Sequence, residues 1–235
     1  LIPAMIYAID FETYYDKQVS ITTLGIHQYL HHPDCSIYLV SVYSAEAGFS
    51  YVGKPDKLDW LQFHGHTFVA HNARFDRACF ERLREQGIVP ADVQVEWQCT
   101  ADLVSALGYG RSLKAAVESV FGVTVNKDTR TDMCGKTWED AIRLGMAQRL
   151  GEYCLKDAWY AYHLWNKLAP DWNEKERYLS ALTRDMGDFG VHVDQPLLAE
   201  GMQKLLRVMD ESMAKIPWAD GSTPILSPKC LKEEC

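Results

Sequence analysis

Residues 5–13 read MIYAIDFET, an apolar run that ends in two carboxylates. The part from Met5 to Asp10 is short, apolar and rich in β-prone residues, which predicts a buried strand. Side chains two residues apart on a strand point to the same face of a sheet, so Asp10 and Glu12 should lie side by side. Two such acids repel each other unless they are solvated, paired with arginine or neutralised by a metal ion.

Outward from this strand, the pattern continues with short β-prone segments and then turns helical. The predicted strands cover residues 36–43, 49–52, 67–70 and 93–97, and the predicted helices cover residues 73–86, 100–107, 112–121, 138–149, 151–169 and 172–188. Strands first and helices after favour an α/β fold with one mixed sheet flanked by helices. Ser112 is the predicted N-cap of the helix over residues 112–121.

The composition changes after Pro170, which predicts a first domain over residues 1–170 and a helical segment over residues 171–235. Two long amphipathic helices are expected on either side of FGVHVD (189–194). The stretch LKEEC at the end begins a helical pattern that does not finish. We therefore expect the functional protein to be longer than this chain.

The overall composition narrows the class of protein. A net charge of −8 argues against a protein that wraps DNA by bulk positive charge, but not against a nuclease, because metal-ligating acids add to the negative count. The seven cysteines include no CxxC pair, which predicts reduced thiols and a cytoplasmic protein. No apolar stretch approaches the roughly 20 residues of a membrane span, so no membrane association is expected.

Two further carboxylates stand in short polar motifs. Asn72 and Asp76 are four residues apart at a predicted strand-to-helix junction, and Tyr153 and Asp157 share one face of a predicted helix. Taken singly, each has a simpler interpretation: Asn72 as an N-cap, Asp76 as an exposed first-turn acid, and Asp157 as a surface residue. Taken with the first pair, these acids are the oxygen ligands that a hard divalent cation prefers.

The order of the motifs resembles the DEDD family of 3′–5′ exonucleases. An acid pair on the first strand, an acid on a mid-chain helix and Tyr-x-x-x-Asp on a late helix follow in that family's order. The resemblance is to the subtype that carries tyrosine, because Glu152 stands where the sister subtype has histidine. It covers residues 5 to about 168.

A second resemblance is to the proofreading domain of phage-type family A DNA polymerases. It is carried by DFET (10–13), then Leu24-Gly25, Tyr29 and Pro33 before a strand. More loosely, FGVHVD (189–194) and LSPK (226–229) are similar to the segment that joins such an exonuclease to its polymerase.

These resemblances imply an RNase H-like fold and a two-metal site that binds Mg²⁺ or Mn²⁺. Asp10 would bridge both metals, Glu12 and Asp157 would complete the tighter site, and Asp76 would hold the second metal. Tyr153 would orient the attacking water. The implied catalytic residues are Asp10, Glu12, Asp76, Tyr153 and Asp157, the four acids are the implied metal ligands, and Thr13 and Asn72 are the implied substrate contacts.

The implied activity is removal of 3′-terminal nucleotides as 5′-monophosphates, by two-metal-ion hydrolysis, during proofreading. The implied partners are a single-stranded or frayed 3′ end of DNA and a covalently attached polymerase domain, in the host cytoplasm if the protein is phage-encoded. The alternatives are a stand-alone RNA-trimming exonuclease resembling RNase D and a catalytically dead module that grips single strands. Candidate contacts to the strand are Arg74, Arg77, Arg111, Lys114, Lys127 and Arg130.

Overall fold

The computed structural model describes residues 4–125 and 131–216. Its contacts divide the chain into two compact units, Leu1–Met186 and Gly187–Cys235. The sheet and the predicted site residues lie in the first unit, and the second contains one described helix, Gln195–Met213. The predicted domain boundary near residue 170 stays a prediction, and the motifs predicted beyond residue 216 lie outside the described residues.

The first unit is built on a five-stranded mixed sheet in the order β3-β2-β1-β4-β5. β2 pairs antiparallel with both β1 and β3, whereas β4 pairs parallel with both β1 and β5. The strands are β1 Ile6–Thr13, β2 Ile37–Ser44, β3 Phe49–Gly53, β4 Thr67–Ala70 and β5 Glu96–Cys99. The predicted α/β class with one mixed sheet flanked by helices is confirmed.

Helices cover both faces of this sheet. The described α-helices are α1 Ile21–Leu30, α2 Ala73–Glu85, α3 Thr100–Ala106, α4 Leu113–Phe121, α5 Trp138–Arg143, α6 Ala147–Leu168 and α7 Glu174–Phe189. The second unit, which is described by itself, contains α8 Gln195–Met213. No helix in the described ranges has the length and apolar character needed to cross a bilayer.

The central strand β1 runs three residues beyond its predicted end at Asp10. β2 keeps pairing with it through Glu12, and the register shifts only between Glu12 and Thr13. On its other side, β4 pairs with β1 only as far as Ala8. At Asp10 and Glu12, β1 is therefore paired with β2 along one edge and is not reached by β4 along the other. The edge that β4 does not reach leaves room for the start of a helix.

Alternation along β1 sends its side chains into two different cores. Ile9 and Phe11 pack with Phe80 and Leu83 of α2. Ala8, on the opposite face, packs with α6. Asp10 and Glu12 share the parity of Ala8 and so project to the α6 side of the sheet.

Small buried residues let α6 lie close to the sheet. Gly151, Cys154, Ala158 and Ala161 follow one another at spacings of three and four, which places them on one helix face. The Cys154 thiol donates to the Asp10 carbonyl oxygen at 3.6 Å, and Ser41 Oγ donates to the Cys154 carbonyl oxygen at 2.8 Å. These contacts fix the height and rotation of α6 over β1.

The structure differs from the predicted elements in three further places. The helix α1 was not predicted, because Gly25 interrupts it at φ 72° and its β-branched residues weaken the helical signal. The helix predicted over residues 138–149 begins at Trp138 but ends at Arg143, because Gly145 at φ 69° separates α5 from α6. The fifth strand begins at Glu96 rather than Val93. The predicted N-cap is confirmed: Ser112 Oγ accepts a hydrogen bond from the Ala115 backbone N–H at 3.2 Å.

Enlarging a residue at the α6–β1 contact should destabilise the fold. Ala158 is fully buried, so Ala158→Leu should lower the free energy of unfolding by about 1–3 kcal/mol, because added methyl groups force the helix off the strand. Urea denaturation measures the loss. Ala106→Leu, the same change at an exposed helical position, is the matched control. Equal stability of the two variants would contradict the close packing.

Candidate active site

All seven predicted site residues line one cleft of 710 Å³. β1 supplies the first three, the start of α2 supplies two, and α6 supplies the last two. In chain order they are Asp10, Glu12, Thr13, Asn72, Asp76, Tyr153 and Asp157. The structure therefore brings together side chains that are far apart in the sequence.

Asp76 is only 2% exposed, so the alternative that it is an exposed first-turn acid is wrong. One of its carboxylate oxygens accepts a hydrogen bond from the Phe11 backbone N–H at 3.3 Å. That N–H lies on the stretch of β1 that β4 does not reach, so the carboxylate takes the place of the missing strand. Burial raises the Asp76 pKa, Glu12 and Asp157 raise it further, and the bond from Phe11 opposes the shift.

Asn72 occupies the N-cap position of α2 in the left-handed conformation, with φ 72° and ψ 51°. In the described ranges it is the one residue other than glycine with a positive φ. Asparagine tolerates this region better than most residues do. Asn72 is therefore the N-cap residue, as the simpler interpretation held, but its side chain forms no capping hydrogen bond. The side chain of Asn72, with its amide group, is instead exposed at the cleft.

Asp10 lies at the centre of the negative charge. Burial raises its pKa well above the ordinary value, and the charges of Glu12, Asp157 and Asp76 raise it further, in that order. Ligand atoms of Asp10, Glu12 and Cys154 lie within 4.8 Å of one another. Among residues 4–125 and 131–216, no lysine, arginine or histidine forms an ion pair with Asp10 or Asp76. Carboxylates held together in this way fit a hard divalent cation, for which oxygen is the preferred ligand.

Tyr153 hydrogen-bonds to Asp157, one turn further along α6. Burial raises the pKa of Tyr153, and the charges of Asp157, Glu12 and Asp10 raise it further. The phenol therefore keeps its proton at neutral pH and acts as a hydrogen-bond donor rather than a base.

Thr13 lies at the cleft with its hydroxyl already engaged. Its Oγ1 is 2.7 Å from the hydroxyl oxygen of Tyr29, and the Tyr29 hydroxyl donates to the Tyr14 carbonyl oxygen. Because Tyr29 has a single hydroxyl hydrogen, Thr13 is the donor in the first of these bonds. A substrate contact by Thr13 stays a prediction and would use the oxygen lone pairs.

One wall of the cleft was predicted only in part: Arg111 was a candidate contact to the strand, but His71 and Ser112 were not assigned to the site. His71, Arg111 and Ser112 line it, and His71 Nε2 donates to the Arg111 carbonyl oxygen at 2.9 Å. The sequence signal that could have located this wall is Gly108-Tyr-Gly110, because two glycines directly before a capped helix indicate a loop.

The predicted strand-contacting cations have different surroundings. Of the four that the structure describes, only Arg111 lines the cleft. Arg77 pairs with Asp185 at 2.6 Å, and Lys114 pairs with Glu118 at 3.8 Å. Arg74 is exposed at the start of α2. Lys127 and Arg130 lie outside the described residues.

Comparisons with solved structures find Brucella melitensis NrnC. The form with bound Mg²⁺ has a TM-score of 0.34 and 15% identity, and covers 73% of this chain and 90% of that chain. A second NrnC structure has a TM-score of 0.36 and 16% identity, and covers 73% and 89%. NrnC bound to pGG has a TM-score of 0.34 and 16% identity, and covers 73% and 90%.

A comparison with curated proteins finds no match. A comparison with family models matches residues 60–173 to the model described as a 3′–5′ exonuclease. The matched residues include Asp76, Tyr153 and Asp157, while Asp10 and Glu12 precede them. This match supports the 3′–5′ exonuclease family for the part of the chain that contributes α2 and α6 to the cleft.

Proposed function

We propose that this chain is a divalent-metal-dependent 3′–5′ exonuclease that removes 3′-terminal nucleotides as 5′-monophosphates. One observation carries the proposal: four carboxylates from β1, α2 and α6 line a single cleft, and a tyrosine is hydrogen-bonded to one of them. The exonuclease family match supports the same reaction class. The roles of individual residues are part of the proposal.

Two divalent cations, when bound, would supply an acidified water and neutralise charge on the scissile phosphodiester. Asp10, Glu12, Asp76 and Asp157 would hold them, because these four acids lie on the cleft and repel one another without a cation. Asp76 is already held by the Phe11 N–H, so its carboxylate is oriented before any ion binds. Such preorganisation reduces the entropy lost on binding.

The remaining side chains position the substrate and the water. The Tyr153 hydroxyl, which stays protonated, would orient the attacking water by hydrogen bonding. The exposed Asn72 amide offers both a donor and an acceptor to the terminal nucleotide. A terminal base must leave its duplex to enter such a cleft, so single strands and mismatched ends should be preferred substrates.

The biological setting has two candidates. Proofreading within a DNA polymerase rests on the sequence resemblance, and the family match ends at residue 173 without reaching a polymerase segment. A stand-alone RNA-trimming enzyme is the second candidate. A catalytically dead binding module is disfavoured, because all four acids and the tyrosine are present at the cleft.

The direct test is to incubate the chain with 3′-labelled single strands of DNA and RNA of the same sequence, and with pGG, with Mg²⁺, Mn²⁺ or EDTA. We expect metal-dependent release of 5′-mononucleotides from the 3′ end. Faster cleavage of DNA, with preference for a mismatched end, would support proofreading, whereas faster cleavage of RNA or pGG would support the second candidate. Strand binding without any release would show that the proposal is wrong.

Replacing Asp157 should separate catalysis from stability. Asp157→Ala should abolish measurable hydrolysis, because one carboxylate of the proposed metal site is lost. Its melting temperature in EDTA should be unchanged or slightly higher than that of the wild type, because Asp10 and Asp76 lose a repulsive neighbour. Added Mn²⁺ should stabilise the wild type more than the variant. Asp92→Ala, at an exposed position, is the control. A large loss of stability in EDTA would mean that Asp157 is structural.

Tyr153→Phe should be milder than Asp157→Ala. Removing the hydroxyl leaves the four acids in place and loses only the orientation of the water, so we expect kcat to fall by about ten- to a hundredfold. Single-turnover rates under saturating Mn²⁺ give the comparison. A loss as complete as that of Asp157→Ala would show that the hydroxyl does more than orient water.

A further inference from the structure

A carboxylate outside the acid cluster, Asp102 on α3, joins the wall of the cleft to helix α7. Its Oδ1 accepts a hydrogen bond from Arg111 Nη2 at 2.8 Å. Its Oδ2 accepts from Ser180 Oγ at 2.7 Å and from Arg184 Nη1 at 2.5 Å. The side chains of Asp102 and Arg184 are 17% and 12% exposed, whereas that of Arg111 is 58% exposed. Oδ2 of Asp102 is thus held by two side chains of α7, and Oδ1 holds Arg111, which lines the cleft.

The charges of this group do not cancel. Burial raises the pKa of Asp102, but the hydrogen bonds from Ser180, Arg111 and Arg184 outweigh that effect and keep its pKa below the ordinary value. One carboxylate is therefore shared by two guanidinium groups, which leaves a net positive charge. Because Arg184 is the more buried cation, the surplus charge is exposed at Arg111.

The arginine is also fixed through its backbone and retains unused donors. His71 Nε2 holds its carbonyl oxygen at 2.9 Å, and Arg111 Nη1 lies 3.4 Å from Ser105 Oγ. A guanidinium carries five N–H donors in a rigid fork that suits a phosphate, and these two side-chain contacts leave most of them free for a ligand. Arg111 lines the same cleft as the four acids, whose negative charge would otherwise repel a nucleic-acid backbone.

We propose that Asp102 is a positioning residue: held by Ser180 and Arg184, it fixes the Arg111 guanidinium at the cleft wall, where Arg111 binds a phosphate of the substrate strand. The inference deepens the proposed function and rests on it. It also implies that part of α7 supports the substrate-binding wall, although α7 lies within the segment predicted to follow the nuclease domain.

The test measures binding of a labelled single-stranded oligonucleotide in EDTA, where no hydrolysis occurs, and KM and kcat in Mn²⁺. Asp102→Asn keeps the shape and removes the charge, so Kd and KM should rise about tenfold, with kcat nearly unchanged. Arg111→Ala should raise them at least as much. In the Arg111→Ala background, Asp102→Asn should have no further effect, because the two residues act through one contact.

A matched control is available on the same helix. Arg77 and Asp185 form an ion pair at 2.6 Å that also involves α7, and neither residue lines the cleft. Asp185→Asn should therefore leave Kd and KM unchanged. If Asp102→Asn does not fold, Ser180→Ala removes one of the three hydrogen bonds while keeping every charge, and should raise Kd about two- to fivefold.

Two results would overturn the inference: an equal effect of Asp102→Asn with and without Arg111, or a lower kcat at unchanged KM. Either would give Asp102 a purely structural role. Failure of the proposed function would look different, because the oligonucleotide would bind with the expected variant pattern while Mn²⁺ produced no mononucleotide.

Discussion

The close packing of α6 on β1 is the constraint on which the site depends. Gly151, Cys154, Ala158 and Ala161 carry too little volume to hold the helix away from the strand, so Tyr153 and Asp157 reach the cleft beside Asp10 and Glu12. The hydrophobic effect drives this contact, and it does so against the repulsion of like charges. The burial of apolar surface elsewhere in the unit thus holds four acids together that would separate in an unfolded chain.

The same arrangement explains why the cleft is suited to bind cations. Asp10 and Asp76 have raised pKa values because burial and neighbouring acids both disfavour their charged forms. A bound cation reverses the sign of the local field and favours the ionised carboxylates. The surroundings of Arg111 are different: Asp102 is surrounded by donors, its pKa is held below the ordinary value, and it holds Arg111 at the cleft. The same cleft is therefore lined by four acids and by a cation, a combination that suits a phosphodiester with metal at one phosphate.

Much of the fold could be predicted because its signals are local. β4 matches its predicted residues, α2 ends within one residue of its prediction, and Ser112 caps α4 as expected. The misses occurred where tertiary contacts override local preference. β1 is extended past Asp10 by pairing with β2, and α1 persists despite Gly25 because Tyr29 and Leu30 are buried. In the site, the seven predicted residues all line the cleft, and Arg111 was among the candidate strand contacts. The residues that hold Arg111, Asp102 and His71, were missed because no local pattern in the sequence pairs them with it.

The sequence by itself determined the strand that carries the acid pair, the helical spacing of Tyr153 and Asp157, and the class of ligand that such residues favour. These follow from periodicity and from the chemistry of side chains, which need no tertiary contact to be read. Only the tertiary structure decided that Asp76 is buried against Phe11, that Asn72 is exposed, and that Asp102, held from α7, holds Arg111. Those outcomes depend on burial and on partners far apart in the chain, because electrostatics and packing act through space rather than along the sequence.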